Sequence, residues 1–216
     1  MMKRRDFSLA ATSLGLLSLA GNTAHAQARV PKAGTEYLVL DKRVQVDAPA
    51  GKIEVIEFFS YNCPHCNDFE PQLDAWLKTA PKEVAFRRVP VPFVGNDVEA
   101  KQRLYYALEA LGKVDEFQPK VFDAIHKQRQ NVNGDANIVA WAAANGLDGA
   151  KFKEVFTSFG VASKAKRASQ MTEAYKVAGV PALAIAGRWY VDGETAGNMT
   201  KALQVANYLI GEAKKG

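Results

Sequence analysis

The only two cysteines in this sequence stand together as Cys63-Pro64-His65-Cys66. A thiol acts as a nucleophile or a leaving group only as its thiolate, so chemistry at such a pair depends on control of the sulfur pKa. A purely structural bridge between Cys63 and Cys66 would close a very short loop, where the entropic benefit of a disulfide is smallest. Zinc sites usually need four ligands. Besides the two cysteines, the chain after residue 26 offers only His65 and the distant His126. No metal and no cofactor is expected; the working group is a redox-active Cys63–Cys66 disulfide.

The elements around the pair suit that chemistry. Residues 53–60 read as a strand, with Ile53, Val55, Glu57 and Phe59 on one face and Glu54, Ile56, Phe58 and Ser60 on the other. From Val55 onward both faces are largely apolar, as in an interior strand. After the motif, Phe69, Leu73, Trp76 and Leu77 recur at helical spacing. Cys63 therefore falls where a strand ends and a helix begins, facing unpaired backbone N–H groups and the positive end of the helix dipole. That dipole favours a negative sulfur by about 0.3–2 kcal/mol. Pro64 fits the first helical position, and His65 adds a partner for the thiolate. Each pKa unit by which Cys63 falls below ambient pH stabilises the dithiol by about 1.4 kcal/mol, or about 30 mV toward oxidant. Cys66, one turn inward, takes the resolving role.

Val84–Val89 reads as a second strand, ended by Pro90-Val91-Pro92, which completes a βαβ unit. From Asp97 to Ala178 the pattern is helical. The stripes are Leu104, Leu108 and Leu111; Val121 and Ile125; Ile138, Trp141 and Ala142; and Phe152, Val155, Phe156 and Phe159. Facing apolar stripes of this kind make a core more often than a cofactor site. Gly112, Gly134, Gly146 and Gly160 are placed at helix ends. The last helix of this region is expected over Ser163–Ala178. Strands Ala182–Ala186 and Arg188–Val191 then flank Gly187 as a hairpin. A final helix runs from Met199 to Ile210, stopped by Gly211.

The chain has 216 residues and is 48% hydrophobic, enough for one domain carrying an insertion. Its first 26 residues combine Lys3-Arg4-Arg5, an apolar run from Phe7 to Ala20, and Ala24-His25-Ala26. This is the pattern of a signal peptide cut before Gln27, too short to remain as a membrane span. Arg4-Arg5-Asp6-Phe7 also suits the twin-arginine route, an alternative to Sec with the same destination. Without that segment the formal net charge of +5 falls to +3. Its Lys and Arg residues are interleaved with acids, as in Lys151-Phe152-Lys153-Glu154, unlike the clustered stripe of a nucleic-acid-binding surface.

Phe58-Phe59-Ser60-Tyr61-Asn62-Cys63-Pro64-His65-Cys66, together with Gly179-Val180-Pro181, resembles the DsbA family of periplasmic disulfide oxidases over nearly the whole mature chain. The resemblance implies a thioredoxin-like α/β fold with an all-helical insertion between its βαβ and ββα halves. The thioredoxin-like parts would be 27–96 and 163–216, the insertion 97–162. It also implies a cis peptide bond at Val180-Pro181, with the Val180 backbone pairing with an extended substrate segment. Glu57, costly on an apolar strand face unless paired or protonated, is read as a buried acid that relays the Cys66 proton, matching an acid of the family at this position. Its bland alternative is an edge position or a local salt bridge. Glu70, four residues after Cys66, either tunes the site or is solvated. Pro71 is structural, kinking its helix, and His126 is a surface or insertion residue without a catalytic part.

The expected activity is that of a periplasmic thiol:disulfide interchange protein, a monomer that passes the Cys63–Cys66 disulfide to exported proteins with free thiols. Reoxidation by a quinone-linked membrane partner of the DsbB type is implied by the resemblance alone. The rivals are a reductase or isomerase of the same fold, and a peptide-binding, chaperone-like module with incidental redox activity. The last rests on the Val180 loop and on aromatic surroundings that include Trp189 and Tyr190.

Overall fold

A computed structural model describes residues 29–216; the expected signal peptide lies outside the described residues. Five strands form one mixed sheet: β1 Leu38–Val39, β2 Ile53–Phe59, β3 Val84–Pro90, β4 Ala182–Ile185 and β5 Trp189–Asp192. Their order is β1-β5-β4-β2-β3. The doubly apolar β2 is an interior strand, parallel to β3 and antiparallel to β4. Parallel strands need a long crossover, here α1 (Pro64–Leu77), the helix that begins with the cysteine motif. Pro90 closes β3 at the sheet edge, where a missing ladder donor is tolerated. The β4–β5 hairpin turns through Ala186 (φ 54°) and Gly187 (φ 66°), both left-handed, with the Arg188 N–H donating to Ile185 O at 3.0 Å. A side chain at position 187 would meet Val44 O at 2.1 Å, so this turn needs glycine twice over.

Between the halves run α2 (Val98–Ala110), α3 (Val114–Phe122), a π-helical turn (Asp123–Lys127), α4 (Asp135–Ala144), α5 (Gly149–Phe156) and α6 (Phe159–Ala174). After β5 come the single turn α7 (Gly193–Ala196) and α8 (Met199–Ala213). Each sheet face has its own apolar layer. On one side Val55, Leu183, Ile185 and Val191 pack with Phe69, Leu73 and Trp76 of α1 and Leu209 and Ile210 of α8. On the other, Ile56 and Phe58 join Val161, Ala165 and Ala168 of α6, and the same cluster continues through the insertion to Leu104, Phe117, Ile138 and Phe152.

Three expectations along this path are corrected. Phe159 does not belong to the Phe152/Val155/Phe156 stripe: it is 88% exposed. Ser158 interrupts, its hydroxyl accepting from the Val161 N–H at 3.3 Å, so that a new helix starts at Phe159. Capping of this kind satisfies an amide left free at a helix start. Gly160 lies in the first turn of this helix, at the junction with α5, and the last helix spans 159–174 instead of 163–178. Gly211 does not stop α8, which runs through it to Ala213 on the apolar contacts of Leu209 and Ile210.

Candidate active site

The turn after β2 is held in place before the cysteines begin. The Cys63 N–H donates to Ser60 O at 3.0 Å. The Asn62 amide donates to Val94 O at 3.0 Å and Asn96 O at 2.8 Å. Gly95 permits this approach, since a Cβ there would lie 2.7 Å from the Asn62 side chain. From the insertion, His126 Nε2 sits 2.8 Å from Tyr61 O, and its ring stacks on Phe122. His126, a residue of the inserted region, braces the segment leading to Cys63.

Cys63 is the N-cap residue of α1 and Pro64 its first helical residue. The Cys63 sulfur accepts from the Cys66 N–H at 3.4 Å. Its pKa is lowered from 9.0 to about 6. The Cys66 thiol, donating to it, is the largest cause; burial opposes; the N–H groups of Cys66 and His65 and the charge on His65 add to the lowering. Cys66 is fully buried and its pKa moves far upward, first through burial, then through the neighbouring Cys63 and Glu57. One sulfur is thus held ready as an anion while its partner keeps its proton.

Val180-Pro181 is a cis peptide, as expected. The Val180 carbonyl lies 3.4 Å from the Cys63 sulfur, a position from which a thiol can donate to it. Tyr190 supports this loop from below, its hydroxyl donating to Asp192 Oδ2 at 2.7 Å and lying 3.4 Å from Gly179 O. Trp189 and Tyr190 are both buried, so neither supplies the aromatic binding surface that a peptide-binding module would need.

Glu57 is fully buried directly opposite Arg88 of β3, Oε2 accepting from Arg88 Nε at 2.9 Å. Both readings of this residue meet here, for it is salt-bridged and its pKa is still pushed up to about 8. Burial is the main cause and Glu70 the next; Arg88 opposes. Glu70 is not solvated. It accepts from Arg88 Nη2 at 3.0 Å and from Gln118 Nε2 at 3.1 Å, and burial raises its pKa too. One guanidinium faces two buried carboxylates, an arrangement that favours keeping a proton on the cluster. Glu57 Oε1 has no hydrogen-bond partner among the described residues and is free to hold it. Gln118 also accepts from the Tyr61 hydroxyl at 2.7 Å, which carries the polar chain from β2 through α1 to the insertion. The sequence reading singles out neither Arg88 nor Gln118. Glu54-x-x-Glu57 facing Arg87-Arg88 on adjacent strands was a legible signal for the first; nothing local marks the second. Among the described residues no group of three or more His, Cys, Asp or Glu side chains could hold a metal ion.

An acidic sulfur paired with a buried protonated one serves thiol:disulfide exchange, and this sheet places the chain among the thioredoxin-fold thiol:disulfide oxidoreductases. Residues 54–204 match the family model of the DSBA-like thioredoxin domain. The chain is 41% identical over 203 residues to the thiol:disulfide interchange protein DsbA of Bordetella parapertussis, covering 94% of this chain and 96% of that protein. Against the DsbA of Pseudomonas aeruginosa the figures are 36% over 197 residues, 91% and 92%. The crystal structure of Pseudomonas aeruginosa DsbA superposes with a TM-score of 0.81 at 34% identity, over 86% of this chain and 95% of that one. For Xylella fastidiosa DsbA the TM-score is 0.78 at 30% identity, over 87% and 100%. The chain belongs to the DsbA family.

Proposed function

We propose that the protein works in the periplasm as an oxidant of exported proteins, through the following residues. A substrate thiolate attacks the Cys63 sulfur of the oxidised pair; the Cys63–Cys66 bond breaks and Cys66 leaves, taking a proton relayed by Glu57. A second substrate thiolate attacks the substrate sulfur of this mixed disulfide and expels Cys63 as a thiolate. The substrate has then lost two electrons to form its disulfide, and the protein holds them as a dithiol. Pro64 and His65 set the Cys63 environment, and the Val180 backbone beside Pro181 aligns the substrate strand. A quinone-linked membrane partner of the DsbB type removes the electrons again. No further cofactor takes part. In this reading residues 27–96 and 163–216 form the catalytic unit of a monomer, and 97–162 form its insertion.

The observation that carries the proposal is the asymmetry of the pair, Cys63 held at about pKa 6 at a helix start while Cys66 is buried and protonated. The test is a redox titration of Cys63–Cys66 in glutathione buffers, with thiolate absorbance followed against pH. The expected result is a thiolate midpoint near 6 and a potential more oxidising than the roughly −270 mV of thioredoxin. A midpoint like that of a free thiol, or a thioredoxin-like potential, would favour the reductase instead. A Cys63→Ser variant that kept its biological activity would favour a binding module.

A further inference from the structure

A cleft of about 430 Å³ opens beside the cysteine pair, between the start of α1 and the turn α7. It begins at Val180, whose carbonyl lies 3.4 Å from the Cys63 sulfur, so a segment joined to Cys63 and paired with the Val180 backbone runs directly into it. Phe69, Pro181 and Met199 supply apolar lining. The polar lining is one-sided in charge. Asp68 on α1 and Glu194 on α7 are both exposed, and among the described residues no Lys or Arg lines the cleft and His65 is the one basic side chain in it.

The acids near this cleft differ in how they are engaged. Asp192 is used internally, accepting from the Tyr190 hydroxyl at 2.7 Å and the Thr195 N–H at 2.8 Å. Glu57, Glu70 and Asp74 face Arg88. Asp68 and Glu194 have no ion-pair partner among the described residues, and they are the two carboxylates that a bound segment would meet. On a chain whose mature form carries a net +3, a cleft of the opposite sign is a local arrangement and not a consequence of overall charge.

We propose that this cleft selects substrate segments carrying Lys or Arg beside the reacting cysteine, with Asp68 and Glu194 as the selecting carboxylates. The proposal rests on the oxidase reading and adds a substrate class to it. A Lys or Arg stem covers the apolar lining while its head stays in water at the rim, where both acids stand. Opposite charges at a partly exposed rim govern encounter and partner choice more than tight binding.

The test uses the oxidised full-length mature protein and two dithiol peptides that differ only in having Lys-Lys or Glu-Glu next to the reacting cysteine. Their oxidation rates are compared as a ratio, divided by the same ratio measured with the uncharged disulfide of 2-mercaptoethanol, which removes the peptides' own thiol reactivity. The corrected ratio should favour the Lys peptide by roughly fivefold at low salt and shrink as salt is added. In an Asp68→Asn/Glu194→Gln variant it should fall close to one. A ratio of one or less in the unaltered protein, or an unchanged ratio in the variant, would overturn the charge selection while leaving the oxidase reading intact. Failure to oxidise either peptide would remove the oxidase reading and the proposal with it.

Discussion

At the scale of single residues, the two cysteines owe their difference to position along one helical turn. Cys63 caps α1 and collects donors from the Cys66 thiol and from the amides of Cys66 and His65, whereas Cys66 is fully buried with Glu57 as an acidic neighbour. A buried thiol can attack only if its proton has somewhere to go. Glu57 is suited to accept it: its pKa of about 8 lies far closer to a thiol than the ordinary carboxylate value of 4.5. Glu57→Gln should therefore slow steps in which Cys66 is the nucleophile, by about tenfold or more, since the proton must then reach water unaided. The measurement is the rate at which Cys66 resolves a preformed mixed disulfide at Cys63, followed against pH. The unaltered protein should speed up as pH rises through about 8, where Glu57 ionises, and the variant should lose that inflection. An identical pH profile in the two proteins would reduce Glu57 to a structural partner of Arg88.

At the scale of elements, local pattern showed the site's framework but not its bracing. The period-two run at 53–60 and the helical stripe at 69–77 placed Cys63 at a strand-to-helix junction because both signals are local. The end of α5 is hidden in the sequence because the spacing Phe152–Val155–Phe156–Phe159 continues a helical period, while the Ser158 hydroxyl starts a new helix. Gln118 was invisible for a different reason: its partners Tyr61 and Glu70 lie 57 and 48 positions away and meet it only once α3 is folded against α1. This contact ties the insertion to the active-site helix through buried polar groups. Gln118→Leu would leave the Tyr61 hydroxyl without its acceptor and Glu70 Oε1 without its donor, at a cost of about 1–3 kcal/mol. Urea denaturation should show that loss, and a double-mutant cycle with Tyr61→Phe should show coupling between the two positions. A loss under about 0.5 kcal/mol, with no coupling, would mean that water replaces Gln118 without cost and that the polar chain does not brace the insertion.

At the scale of the whole molecule, one core runs from Phe58 and Phe59 through Tyr105 and Phe122 to Phe152, so the insertion and the sheet share side chains. No stripe read along the sequence could show that sharing, because each stripe says which face is apolar and not which partner covers it. A shared core favours unfolding of the two parts together, which lets a charge on one sulfur act on the stability of the entire chain. The Cys63 thiol has its pKa lowered in the folded dithiol form, from 9.0 to about 6. Between those values the unfolded chain holds a proton that the folded chain has released, so the stability of the dithiol form rises with pH, approaching about 1.4 kcal/mol per unit. Below pH 6 both states are protonated and this contribution is absent. The disulfide form has no such titration; Cys66, the other thiol it lacks, keeps its proton in the fold and opposes this trend only as pH nears the unfolded thiol value of 9.0, and the groups common to both forms drop out of the difference to first order. The short Cys63–Cys66 loop stabilises the disulfide form by about 2 kcal/mol through its unfolded state, but that amount does not vary with pH. The slope of the gap, and not its size at one pH, is therefore the signature. Parallel urea titrations of the two forms from pH 5 to pH 8.5 should show a gap that is flat below about 6 and then moves steadily in favour of the dithiol. A gap independent of pH over that range would mean that folding does not stabilise the Cys63 anion, and the driving force for giving up the disulfide would have to come from elsewhere in the structure.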